Sequence, residues 1–414
     1  MTNTVDNEKS NPLLTLLDRY NKSKIKEVAY YFLFSIVYIR AFYYTTMIPG
    51  MFRSNKLVNL VGYSAAGLLL IMAAIEILSM IISKRIRTAI LLSAMICIGL
   101  VSSIAGDDRG IILLCVVLVA GIGKDMRTIL KLSVILGIAV MATAYILSVS
   151  GYITYLVYDK SGGGLYHAFG CIYRTDFAAH VMYLMMSYLW LRKDKLTSIE
   201  YAALWFLPWF CWRYAGAKNN VFSMVLLLVS FIVIKLTRLE DREWPKLLKW
   251  NWLVHLLCTI GTLAAVFVLG SGLISVNAVE GTDTLWSRYN LSMTALKKYG
   301  VSLFGKVIEE RGAGGVPDTS KAYFYLDISY IRILIKFGIL FLLIYLVLMT
   351  LNSYYATASR DAVLALILVV IAINCLVEHH AWEFCYNIFL VTGMTFIVPG
   401  GKNNTRRDTV IEEN

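Results

Sequence analysis

GTDTLWSRYNLSMTALKKYG at 281–300, followed by YFYLDISYIRILIKFG at 323–338, interrupts a chain that is otherwise one apolar run after another. An apolar run over 251–274 precedes this passage, and its end leads into another over 329–351. A helix needs roughly 20 apolar residues to cross about 30 Å of hydrocarbon, and both flanking runs meet that length. The polar passage between them therefore reads as a long loop outside the bilayer. Connections beyond roughly 12–15 residues are usually functional or disordered. The aromatics and helical periodicity here are those a disordered linker lacks, so the loop is read as the working part of the chain.

Composition extends that reading to all 414 residues. Hydrophobic residues make up 58%, charged residues only 16%, and the mean hydropathy is +0.66, values of an integral membrane protein. No run alternates as a barrel strand does, so the expected fold class is an all-α polytopic membrane protein. Spans are expected near 27–47, 57–82, 87–106, 110–123, 128–149, 176–191, 197–212, 219–235, 251–274, 329–351, 361–377 and 381–398. The fourth and seventh are short or polar enough to be re-entrant or tilted, which sets the expectation at about ten to twelve spans.

The formal charge of +12 has a location. Lys84-Arg85-Ile-Arg87, Arg192-Lys193 and the lysines from Lys235 to Lys249 lie between apolar runs, on connections of one parity. By the positive-inside rule both tails, 1–26 and 399–414, are expected in the cytoplasm. The loop 275–328 then faces outward from a single membrane domain spanning 27–398. No basic domain is left to hold nucleic acid. The seven cysteines are odd in number, lie mostly inside apolar runs and form no C-x-x-C pair, so neither a disulfide framework nor a zinc site is expected. Residues 1–26 lack a small-residue cleavage site and read as a tail, not a signal peptide. There is no Gly-x-Gly-x-x-Gly, no Walker sequence and no internal repeat.

The outer side carries the candidate chemistry. Six cations converge on it: Arg174, Arg213, Lys218, Arg288, Arg332 and Lys336. Lys and Arg stabilise negative charge that builds on a diphosphate leaving group. Arg332 and Lys336, at i and i+4 with Ser329 on the same face, open an apolar span. Each is costly there unless it faces a wet cavity or a partner, or snorkels to lipid headgroups. Arg288 lies in an amphipathic segment that Asp283 can cap and Gly300 can end. Spacing puts it at the edge of the apolar stripe of a surface helix, at headgroup depth, where it either meets a lipid-linked phosphate or only anchors the helix.

In Glu378-His379-His380-Ala-Trp-Glu383-Phe-Cys-Tyr-Asn387, a helix would align His379, Glu383 and Asn387, with His380 at i−3 from Glu383, as a general base needs. Two His and a carboxylate also suit a metal, but the spacing matches no zinc motif, and no metal or cofactor is expected. A purely structural role for the two imidazoles is the third reading. Asp107-Asp108-Arg109 reads as a charged hairpin tip. Tyr166, Tyr173, Tyr325 and Tyr330 either stack on sugar rings or belong to the interfacial aromatic belt.

Four stretches then carry a resemblance: Gly170-Cys-Ile-Tyr-Arg174-Thr-Asp-Phe, Ala217-Lys218-Asn219, Ser287-Arg288 followed by Ser302-Leu-Phe-Gly305, and Leu326-Asp-Ile-Ser-Tyr330 leading into Ile333-Leu-Ile-Lys336-Phe-Gly338. Across roughly 85–395 the chain resembles the Wzy-type polysaccharide repeat-unit polymerases, of the broad group that includes the O-antigen ligases. The resemblance implies inverting transfer of a growing glycan from undecaprenyl diphosphate to the next lipid-linked unit, outside a bacterial inner membrane and without a metal. It also implies that Arg174 and Arg288 bind the diphosphate. From the chemistry of the residues themselves, Arg332 would hold the diphosphate with them, Lys218, Lys336 and Arg213 would assist, and His380 or Asp327 would take the acceptor proton. The implied partners are the undecaprenyl-diphosphate-linked oligosaccharide, the bilayer, and a flippase and chain-length regulator of the same pathway. The rival readings are a ligase, a lipid-linked oligosaccharide flippase or other secondary transporter, and a polytopic acyltransferase.

Overall fold

The computed structural model describes residues 23–160, 163–270, 285–315 and 323–396. Both expected tails, apart from residues 23–26, and the Asp283 cap lie outside the described residues. What is described is a helical bundle with a single two-stranded ribbon: strands β1 (Val157–Asp159) and β2 (Leu165–His167), antiparallel with Tyr158 opposite Tyr166.

The helices used below are α1 (Lys24–Tyr43), α2 (Lys56–Ile82), α3 (Ile86–Ala105), α4 (Gly110–Ala120), α5 (Met126–Val149), α6 (Arg174–Arg192), α7 (Ser198–Phe210), α8 (Lys218–Thr237), α9 (Val254–Gly270), α10 (Leu285–Tyr299), α11 (Ser329–Arg332), α12 (Gly338–Ala358), α13 (Ala362–Asn374) and α14 (Phe389–Thr392). Among the described residues six helices are long and apolar enough to cross a membrane: α2, α3, α5, α8, α12 and Asn251–Leu269, which contains most of α9. Their buried share is small, because one side of each faces outward with apolar side chains such as Leu57, Ile90, Ile135, Phe222, Phe267 and Val347 exposed. In water those side chains would be a liability, and in lipid they are the solvent-facing surface.

The core is built around two short helices that the others surround. At about 1.5 Å per residue, α4 and α13 fall well short of a bilayer. Both are apolar on every face and nearly wholly buried, with Val117, Val119, Ile367 and Ile371 fully enclosed, as expected of a helix surrounded by others. α13 packs on α8, α12, α9 and α6, and α4 on α2 and α3. At its start Asp361 caps α13 through Leu364 N (3.0 Å), accepts from Trp190 Nε1 (2.9 Å) and pairs with Lys193 (2.6 Å), tying α13 to the end of α6.

Three expected spans come out differently. The region read as a span over 381–398 is not a continuous helix where it is described. The chain leaves α13 at Asn374, runs without regular structure to Ile388, makes the single turn α14 and ends in a 3₁₀ turn, Gly393–Phe396. Polar side chains compete for its backbone: Asn387 Nδ2 donates to Ala381 O (2.8 Å) and Asn352 Nδ2 to Phe389 O (2.7 Å). The shared helical face expected for His379, Glu383 and Asn387 therefore does not form. The region read as a span over 329–351 is broken by a π turn, Ile333–Phe337, and the one read over 197–212 passes Pro208 into another, Cys211–Ala215. A π turn is one residue too wide for its carbonyls to find regular partners, and such turns recur at functional sites.

The first π turn is closed by the segment 301–315 crossing over it. Lys306 N donates to the carbonyls of Ile335 (3.1 Å) and Lys336 (3.2 Å), while Ile339 N donates to Ser302 O (3.0 Å). The crossing is so close that glycine is required twice. Gly305 (φ +92°) abuts the Lys336 carbonyl and Gly338 (φ +86°) the Leu303 carbonyl, each where a Cβ would overlap backbone atoms. The Ser302–Gly305 and Phe337-Gly338 motifs thus meet as one crossing.

Candidate functional site: a buried cluster of charged groups at one end of the bundle

The bundle alternates, so the end of α3, the starts of α4 and α6, the end of α13 and the break at 333–337 fall at one end. The non-helical stretch 375–388 lies there, and irregular backbone inside a membrane protein survives only where protein or a wet cavity satisfies it. Ser329 fastens it: its N–H donates to Cys375 O (3.1 Å), its hydroxyl to Glu378 O, and it accepts from Ala381 N (3.3 Å).

Arg288 enters from α10 and is 7% exposed. It donates to the Val377 carbonyl and to Glu378 Oε1 (3.2 Å), with Asp327 Oδ2 at 3.6 Å from its Nε. Asn219 Nδ2 donates to the same Glu378 oxygen (3.0 Å), which puts the start of α8 in the cluster. The helix expected here is present and ends at Gly300 (φ +65°), but its arginine turns into the protein instead of resting at the lip of the apolar stripe.

Arg332 and Lys336 do not snorkel. Arg332 pairs with Glu310 (2.8 Å), donates to the Tyr325 hydroxyl (2.8 Å) and lies over that ring (4.6 Å). Lys336 pairs with Asp108 (2.9 Å), so the expected hairpin tip is a counter-charge. Tyr325 stands edge-on to His379 (5.0 Å), and His379 lies against His380 (ring centroids 3.9 Å). These contacts make one continuous cluster of Arg288, Asp327, Tyr325, Arg332 and His380.

His380 is 1% exposed, and neither ring nitrogen has a hydrogen-bond partner. Asp176 Oδ1 lies 3.9 Å from Nε2 and Glu383 Oε2 3.8 Å from Nδ1, both too far for a bond. Burial works to lower the pKa of this imidazole, but the Glu383, Asp176 and Glu378 carboxylates outweigh it and raise the value above that of an ordinary histidine. His379 is pushed well below the usual range by burial, then by His380, Arg332, Arg288 and Lys336.

Arg174 belongs to a neighbouring group. It donates to Ala215 O (3.0 Å) and Gly216 O (2.8 Å) and lies over Tyr166 (5.0 Å) and Tyr173 (5.6 Å). Two residues on, Asp176 reaches His380, so α6 joins the two groups. Beside them, between α5, α6 and α7, lies a cavity of 980 Å³ with a mostly apolar lining that includes Ile138, Met141, Leu184 and Leu207 along with His167 and Tyr214.

Lys218 and Arg213 are exposed, with no contact to the cluster among the described residues. Tyr330, for which sugar stacking is one of two readings, is fully buried and donates to Ala372 O (3.1 Å), so neither ring face is open to a sugar. Asp176, Glu310 and His180 carried no role in the sequence reading. His180 is stacked between Phe42 (3.7 Å) and Tyr386 (3.8 Å), and Tyr386 also packs on His380 (4.0 Å). The available signal was the cost of a buried cation, which demands a carboxylate somewhere in the chain but not at any fixed spacing.

No protein-family model matches the chain, and neither does any curated protein or any solved structure.

Proposed function

We propose that the chain polymerises lipid-linked oligosaccharide repeat units, acting as an inverting glycosyltransferase of about ten to twelve spans on the outer face of a bacterial inner membrane. The observation that carries this reading is the convergence of Arg288, Arg332 and Lys336 with Asp327 and His380 in one enclosed cluster beside Arg174. Of these, Arg174 and Arg288 are the two for which the resemblance to the polymerases implies diphosphate binding; Arg332, Lys336, Asp327 and His380 are singled out by their own chemistry.

The acceptor hydroxyl attacks the anomeric carbon of the growing chain's first sugar, on the face opposite the diphosphate. The C–O bond to the phosphate breaks, the new C–O bond forms with inversion, and the hydroxyl proton goes to Asp327 or His380. The negative charge on the departing polyprenyl diphosphate falls to the cations. Each already holds a carboxylate or carbonyl partner, so phosphate oxygens enter by exchange with Glu310 or Asp327, with the guanidinium forks aligned beforehand. Tyr166, Tyr173 and Tyr325 are half-buried and able to stack on sugar rings, and the apolar cavity suits an isoprenoid chain.

Deleting the gene tests the reading against its rivals. Loss of a polymerase leaves single repeat units on the lipid carrier, exposed outside, with no long chains. Long chains stranded on the carrier would indicate a ligase instead. Units held at the inner face would indicate a flippase, and normal polysaccharide lacking an acyl group an acyltransferase.

A further inference from the structure

The cations of the cluster each have an acidic partner: Arg288 has Glu378 and Asp327, Arg332 has Glu310, Lys336 has Asp108. Asp176 and Glu383 are left over. Among the described residues no Lys or Arg lies at ion-pair distance from either, and both face His380. One ligand atom each from Asp176, His379 and His380 lies within 4.8 Å of the others. His379 Nδ1 and both nitrogens of His380 are enclosed with no bonding partner, although a buried polar atom left this way costs about 1–3 kcal/mol.

We propose that Asp176, His379 and His380 bind one divalent transition-metal ion of the zinc class. Two imidazoles and a carboxylate, with a fourth position open, are a donor set of zinc enzymes. Ligands about 2.0–2.2 Å from such an ion stand about 3.4 Å apart, so the Asp176–His380 gap of 3.9 Å closes by roughly half an ångström on binding, and the set, now within 4.8 Å, contracts by up to about 1.4 Å. The second carboxylate supports the assignment. A metal-bound histidine gives its other N–H to a carboxylate or carbonyl, and Glu383 stands at Nδ1 while Nε2 faces Asp176. The nearby cations do not repel the ion fully, since each is neutralised in place. The sequence hid the site because Asp176 is on α6, far from the His-His pair, and no local spacing records it.

The site stands apart from the polymerase reading; if it is occupied, His380 is a ligand and Asp327 remains to take the acceptor proton. Its test therefore reads metal and stability, not product. Full-length protein in detergent, stripped with chelator and dialysed against Co²⁺ or Zn²⁺, is expected to retain about one ion per chain, with visible bands of low-symmetry Co²⁺ bound to nitrogen. Zn²⁺ is expected to raise the thermal midpoint and chelator to reverse the rise. Asp176→Asn and His380→Ala should abolish retention, and Glu383→Gln should weaken affinity by about 10–100-fold. Where His380→Ala does not fold, the other two, at partly exposed positions, carry the test. No retained ion in wild type, or retention unchanged in Asp176→Asn and Glu383→Gln, overturns the proposal.

Discussion

Arg288 Nη1 donates to Glu378 Oε1 at 3.2 Å, and both side chains are almost wholly enclosed. The pair joins the helix of the long polar loop to the non-helical stretch after α13, elements that hydropathy alone treats as a surface helix and the junction of two spans. A charge pair this deep is held by its surroundings: Asn219 shares the Glu378 oxygen, and Ser329 fixes the Glu378 backbone. Variants that break such contacts separate what holds the site from what acts in it.

The crossing of 301–315 over the π turn predicts two glycines that cannot be replaced. Gly338→Ala incurs about 1–3 kcal/mol for a backbone conformation (φ 86°, ψ 172°) that is essentially glycine's alone, and about 1–3 kcal/mol for overlap with the Leu303 carbonyl. Thermal unfolding of the purified protein should show a clear loss, with Gly305→Ala similar. Gly261→Ala, inside α9 where a Cβ meets nothing, is the control expected to leave the midpoint in place or raise it slightly.

Arg332 and Glu310 are expected to be coupled. Removing one partner of an enclosed pair leaves the other charged and uncompensated, at about 3–5 kcal/mol for a fully buried pair. With 7% and 10% of the two side chains exposed, a somewhat smaller loss is expected for Arg332→Gln or Glu310→Gln. The double variant should recover part of that loss. Strict additivity in a double-mutant cycle would show that the pair contributes nothing beyond its separate contacts.

How far the sequence reached can be judged from these elements. The six long apolar helices were legible because about 20 apolar residues in a row have one physical meaning, and the end of α10 at Gly300 because a positive φ favours glycine. Arg288, Asp327, Arg332, Lys336 and His380 were legible as chemistry-bearing residues, since polar groups next to apolar runs are conspicuous. Their partners were not. Glu310 and Asp108 are ordinary acidic residues in loops until the chain folds, and Asp176 meets His380 only through packing of α6. The expectation of a span over 381–398 failed for a related reason: its apolar content satisfies a hydropathy window, while Asn387 and Asn352 hold its backbone out of a helix.

The proposed orientation, with the cluster outside, rests on the lysines and arginines at the opposite end of the bundle. In a background stripped of the seven native cysteines, Val307→Cys, in the exposed crossing segment, should react in intact cells with an impermeant thiol reagent. Arg242→Cys, in the exposed connection after α8, should not. Reaction at 242 alone would place the charged cluster on the cytoplasmic face.

The central claim is that Arg288 acts on the diphosphate, not only as the partner of Glu378, and the direct measurement is long-chain polysaccharide made by Arg288→Lys and Arg288→Ala at matched membrane levels. Lys keeps the charge facing Glu378 but loses the two-pronged fork. The account predicts that both variants assemble in the membrane and that Arg288→Lys makes about 10²–10³ less product, the usual effect of losing a donor that acts on developing charge. Near-normal chains from Arg288→Lys would contradict it, leaving Arg288 as a structural charge.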